Sequence, residues 1–248
     1  MKTILLAGLV VSAAVAQSLT EPPQLVRFHR RLGAASVRPY ADAAVPVNVV
    51  GMAAMTGPPE TWLLEAHDSF ADIEDVDKLL RAFGAMDEGA LPSGDILAGS
   101  TSLIAIYLPG FSYRSEQVVQ ALRGARYCQV SIYQVHPGSE AEFAELVKSR
   151  RIVFDSINLD RPDIAYYVLS GAASGTYLFL APLTSLKVLD DGLAKAPAYA
   201  ETIAAEAAKT GGLRREYLLF RVDPATSWVS DDFASADPEF WRGKAKTP

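Results

Sequence analysis

The chain has 248 residues, 50% of them hydrophobic and 21% charged, with a formal net charge of −6. That is a globular composition, long enough for one large domain or two small ones. No Lys/Arg-rich run supplies the clustered positive charge that tracks phosphates, so nucleic acid is excluded as an expected partner.

The first twenty residues, MKTILLAGLVVSAAVAQSLT, form a unit of their own. Lys2 gives a short positive start, Thr3 to Val15 is an apolar run too short to span a bilayer, and Ala14-Val15-Ala16 fits a small-x-small cleavage site. This pattern predicts a signal peptide over residues 1–16 and an exported, periplasmic or extracellular protein. Cleavage would remove Lys2 and take the charge from −6 to −7. The later apolar runs are broken by Pro, Gly or charge, so no membrane segment is expected after the signal is removed. The one cysteine, Cys128, cannot form an internal disulfide and reads as a small buried residue.

From residue 25, strand and helix periodicities alternate. LVRFHRR (25–31) is a predicted strand, and His29 among Arg27, Arg30 and Arg31 reads as a charged edge strand or, at most, an anion contact. The stretch 32–47 has room only for a short helix. VNVVGMAAM and TWLLEAHDSF make a hairpin, ADIEDVDKLLRAFGAM (71–86) a helix, and TSLIAIYLPG (101–110) a last strand. The second half repeats this order. RYCQVSIYQV (126–135) alternates as a strand. In 139–157, Phe143, Leu146, Val147, Ile152 and Phe154 recur mostly at helical spacing behind a capping Ser139. IAYYVLSG and TYLFLAPL make a hairpin, an Ala-rich helix breaks near Pro197, and RREYLLFRV is the final strand.

Two markers tie the halves together. Gly57 and Gly171 lie 114 positions apart, and Pro109 and Pro224, which open PGFSY and PATSW, lie 115 apart. Near-equal offsets indicate duplication. Each half therefore reads β-α-β-β-α-β, a ferredoxin-like module in the α+β class. Pro-x-x-Ser-aromatic marks the end of each module's last strand: Pro stops the ladder, Ser turns the chain, and the aromatic packs back on its module.

YQVHPGSEAEF resembles the strand-turn-helix entry of the dimeric α/β-barrel superfamily. SGAASGTYLFLAPLTSL, DPATSWV and ADPEFW are similar to exported bacterial two-module proteins of that type with no assigned activity. The resemblance implies two tandem modules packed sheet to sheet as a pseudo-dimeric barrel. The expected divisions are a first module over 17–124, a second over 125–230, and a tail over 231–248 lying across the surface as a clasp. It also implies a monomer (pseudo-dimer) or weak homodimer. The superfamily includes cofactor-independent monooxygenases and haem proteins, so fold alone does not give the activity.

Period two places Tyr127, Gln129, Ser131 and Tyr133 on one strand face, and Cys128, Val130 and Ile132 on the other. The polar face is expected to line a cavity between the two sheets, with the apolar face under the helices. Gln129, Ser131, Tyr133 and Tyr167 are the ligand-binding candidates. His67 and Glu65, on one face of a strand, join Tyr133 as candidate catalytic groups, because a carboxylate can orient a histidine ring and tune its pKa. His136 or His67 would be the axial ligand of a haem. No metal signature, phosphate loop or nucleophile motif occurs, and no cofactor is expected. The leading expectation is a small-ligand-binding or accessory protein. The alternatives are an oxygenase-like or isomerase-like enzyme and a haem-binding protein.

Overall fold

The computed structural model describes residues 21–33, 35, 37–82, 96–97, 101–195, 197 and 200–243. The expected signal peptide at 1–16 lies outside them. Among the described residues there are eight strands: β1 (Leu25–Leu32), β2 (Val49–Ala54), β3 (Glu60–His67), β4 (Ser102–Tyr107), β5 (Tyr127–Gln134), β6 (Ile164–Ser170), β7 (Thr176–Leu183) and β8 (Arg214–Val222). Helices α1 (Arg38–Asp42) and α2 (Phe70–Ala82) belong to the first half. Helix α3 (Val118–Arg123) leads into the second, which carries α4 (Glu140–Ser156), α5 (Lys187–Lys195) and α6 (Ala200–Ala208). The order β-α-β-β-α-β occurs twice, as the periodicities predict. α1 is only five residues long, started by Pro39 in its first turn and held by the burial of Tyr40. The break between α5 and α6 falls around Pro197, where a proline interrupts the helical ladder.

The strands close into an antiparallel barrel in the order β1-β3-β2-β8-β5-β7-β6-β4. Within each half the sheet runs fourth-first-third-second strand. The halves meet at two seams, β2 with β8 and β4 with β6. An eight-stranded barrel is just wide enough for side chains to fill its interior. Val26, Phe28, Met52, Trp62, Leu103, Cys128, Val130, Ile132, Leu178 and Phe220 all belong to one buried apolar cluster inside it. Trp62 sits at its centre, 5.5 Å from Phe28 and 5.0 Å from Phe220.

This packing reverses the expected faces of β5. Cys128, Val130 and Ile132 point into the barrel, and Gln129, Ser131 and Tyr133 point outward beneath the helices. The alternation was correct, but burial inside a filled barrel demands the apolar set. His29 is corrected as well. β1 is no edge, because it pairs with both β3 and β4, and Arg27 and Arg30 are buried. In α4, Ser139 precedes the helix without a side-chain cap bond, and Val153 rather than the exposed Ile152 continues the buried stripe.

The two Pro-x-x-Ser-aromatic motifs each form a short 3-10 turn after the last strand of a half. Their serines work alike. Ser112 Oγ accepts from the Ala165 amide at the start of β6 (2.9 Å), and Ser227 Oγ accepts from the Gly51 amide in β2 (2.9 Å). Each then donates to a carbonyl of its own turn, that of Leu108 or Asp223. The aromatics do not pack back on their own half. Tyr113 bridges to Asp163 and packs on Phe154, whereas Trp228 bridges to Val49 and donates to the Val45 carbonyl. The motif therefore ties each half to the other at the seams.

The tail carries α7 (Asp231–Ala234) and α8 (Pro238–Arg242). Phe233 and Trp241 are buried and join the barrel's apolar cluster, and Trp241 Nε1 donates to the Arg123 carbonyl at 2.8 Å. The described part of the tail, 231–243, thus lies mostly exposed along the surface and is anchored in the apolar cluster through Phe233 and Trp241.

Candidate functional site

The outer face of each half-sheet is roofed by its own helices, and the two roofs enclose different chemistry. The registers give the comparison: Leu25 pairs with His67, and Tyr127 pairs with Leu183. Counting along both ladders sets Arg27, His29 and Glu65 of the first half beside Gln129, Ser131 and Ala181 of the second.

In the first half this space is filled. Glu65 is fully buried and its carboxylate accepts from Arg27 Nε (2.6 Å), His29 Nε2 (3.0 Å), His67 Nε2 (3.0 Å) and the Tyr40 hydroxyl. Arg27 also reaches Asp77 of α2 at 2.5 Å. Burial alone would push the Glu65 carboxyl up. The hydrogen bonds from His29 and His67 and the nearby positive charge outweigh it, and hold the group well below the usual carboxylate range. Burial, with the Glu65 charge beside it, pushes the Tyr40 phenol up, so it stays a donor. The space left, beside His67 and under α2, is about 190 Å³.

In the second half the smaller Ser131 borders an open space. A cavity of about 430 Å³ lies between β5 and β8 on one side and α4, α5 and α6 on the other. Its apolar walls come from Val153, Phe154, Leu159, Val188, Leu189 and Ile203, and its polar groups from Gln129, Ser131, Tyr217, Arg150, Arg161 and Asp163. Arg150 is fixed by an ion pair to Asp163 (2.9 Å) and lies over the rings of Phe179, Phe154 and Tyr133. Arg161 Nη1 donates to Gln129 Oε1 at 2.9 Å. Tyr217 is half-exposed, with its hydroxyl 3.4 Å from that of Tyr133.

The structure brings Glu65 and His67 together as the sequence predicts, but inside a buried ion network. Tyr133 belongs to the other half and does not meet them. It is buried against Phe143 and Phe179, and burial followed by the neighbouring Tyr217 pushes its phenol up, against the opposing charge of Arg150. The net direction favours the neutral phenol. Gln129 and Ser131 do line a cavity, on the face opposite to the expected one. Tyr167 packs on Tyr177 at 5.1 Å, away from that cavity. Arg150, Arg161 and Tyr217 had no motif to reveal them, because they come from a helix, a loop and the last strand. Neither histidine named for haem reaches the larger cavity: His136 is exposed at a strand end and His67 lines the small one. Among the described residues no group of three or more His, Cys, Asp or Glu is placed to hold a metal ion. No described helix is long and apolar enough to cross a membrane.

No family model and no curated protein matches the chain. Solved structures do. A protein from Fusobacterium nucleatum described as a "putative monooxygenase" aligns with a TM-score of 0.50 at 12% identity, over 80% of this chain and 91% of its own. A "putative monooxygenase" from Lactobacillus acidophilus aligns at 0.47 and 10% identity, over 84% and 100%. An "anthrone oxidase-like protein" aligns at 0.46 and 10% identity, over 80% and 90%. At such identities the likeness concerns the fold.

Proposed function

We propose that the chain is an exported pseudo-dimer of two ferredoxin-like modules that binds a small, mostly apolar molecule between the second sheet and helices α4 to α6. The observation that carries this reading is the cavity of about 430 Å³ with apolar walls and a few converging polar groups. Ligand sites commonly have about 300–1,000 Å³ and that composition. The first half supports it by contrast: the same position holds an ion network and no comparable space. Export is supported by the signal-like residues 1–16.

The test is fluorescence titration with N-phenyl-1-naphthylamine, a neutral apolar probe, on the protein and on Gly192→Phe. Gly192 lies on α5 at the cavity wall, and a side chain begun there meets nothing within 4 Å. A phenyl group there meets no clash at its root and is introduced to block the cavity. Saturable binding that Gly192→Phe removes supports the reading. No binding, or binding that Gly192→Phe leaves intact, refutes it.

An oxygenase acting in the same cavity is the second reading, favoured by the fold shared with the Fusobacterium "putative monooxygenase". It predicts oxygen uptake on adding an easily oxidised phenol, lost in Gly192→Phe.

A further inference from the structure

The small cavity of the first half, about 190 Å³, takes its polar side chains from His67, Asp72 and Asp75, and among the described residues no Lys or Arg lines it. His67 is fully buried, and its Nε2 lies 3.0 Å from Glu65 Oε2. Glu65, held well below the usual carboxylate range, only accepts, so Nε2 carries the hydrogen. The two ring nitrogens point nearly opposite ways, so Nδ1 faces away from Glu65. Nδ1 is buried and has no hydrogen-bond partner, in a ring that forms part of the cavity wall. Buried polar groups are as a rule paired, and an orphan calls for a partner. For the lone pair of a neutral ring that partner is a donor. The carboxylates add a sign. Asp72 Oδ2 accepts from the Asp68 and Ser69 amides at 3.1 and 2.9 Å. Asp75 meets Lys78 at 3.1 Å in an exposed pair, which offsets little of its charge. Arg27, deeper in, is matched to Glu65 and Asp77.

We infer that this cavity is a second binding site, for a small organic amine held as its ammonium: an N–H donated to His67 Nδ1, the positive charge toward Asp72 and Asp75, and the apolar body against Val47, Val76 and Leu79. Donor, charge and body each have a counterpart in the lining. The volume lies below the usual span of sites for drug-sized molecules, so the guest is fragment-sized. A bare metal ion is a poorer match, since among the described residues no group of three or more His, Cys, Asp or Glu is placed to hold one. The site belongs to the first half and stands apart from the binding reading above.

The experiment is nitrogen NMR near neutral pH on protein isotopically labelled in its three histidines, titrated with benzylamine and with benzyl alcohol, which has the same skeleton and no charge. In the free protein His67 is expected to show a bare Nδ1 and a protonated Nε2. Benzylamine should move the Nδ1 signal saturably and bind about fivefold more tightly than the alcohol, the scale of a charge-assisted contact beside solvent. Asp75→Asn should cut that preference by about half on a logarithmic scale. Leu79 lines the cavity and is exposed, so Leu79→Trp is introduced to block it without touching the ion network, and should abolish the shift. His67→Gln, whose amide still donates to Glu65, assigns the signal. Circular dichroism and thermal melts check that the variants fold. A protonated Nδ1 in the free protein, no saturable shift, or a shift that persists in Leu79→Trp overturns the inference. Equal affinity for the two compounds also overturns it. None of these results bears on the cavity of the second half, which the naphthylamine titration tests separately.

Discussion

Replacing Glu65 is the sharpest perturbation of the first half. Its carboxylate is fully buried and accepts from Arg27, His29, His67 and Tyr40, so its removal leaves several inward-facing donors at once. Breaking a buried ion pair from one side costs about 3–5 kcal/mol, because the surviving charge stays in low dielectric. Glu65→Ala is placed in that range. Glu65→Gln is placed near 2 kcal/mol, because one amide oxygen still serves Arg27 and His67 while Tyr40 and a switched His29 tautomer accept from the amide nitrogen. The double variant Arg27→Leu/Glu65→Leu should recover much of the loss by removing both charges together. Urea unfolding at neutral pH measures all three. The carboxyl lies below its ordinary value in the folded chain, so the stability it adds is complete above about 4.5 and is lost as pH falls toward the folded value. The Glu65 variants should lack that part of the acid limb. A cost below about 1 kcal/mol for Glu65→Ala, as for a surface pair, would refute the assignment of the network as the filling of the first half.

Two further outcomes follow from the packing. Gly51→Ala should destabilise the chain by about 2–3 kcal/mol in the same unfolding assay, since its Cβ would lie 2.1 Å from the Thr226 carbonyl oxygen and push the 3-10 turn after β8 away from β2. Cys128 should be silent to a thiol reagent in the native protein and titrate as one thiol after unfolding. It lies inside the barrel, where burial first and the Asp163 charge second push its thiol up to about 12.

Element order was legible in the sequence because each element carries its own period. The alternation of β5 and the break near Pro197 are local facts, and both survive in the fold. Which face of a strand looks inward is not local. Cys128, Val130 and Ile132 shared a face in the sequence, but only ring closure decides that this face fills a barrel and that Gln129 and Ser131 lie under helices. The Glu65–His67 pair was visible as neighbours two residues apart on one strand. Its meaning was hidden, because Arg27, Tyr40 and Asp77 arrive from three other elements. The cavity was hidden for a related reason: it is bordered by Ser131, which takes the position that the larger His29 has in the other half, and absence of bulk leaves no motif.

The serine turns at the seams bear on how the molecule comes apart. Every strand of one half's open ends is completed by the other half, and each completion is pinned by a side-chain bond from the far side. Neither half alone would keep its edges satisfied or its inner face dry. The chain therefore has two halves with one element order but one unit of cooperativity, and heat should unfold it in a single transition rather than as two melting halves. The covalent link between the halves is incidental to that unit. A chain cut between α3 and β5 would still carry every strand pairing that closes the ring.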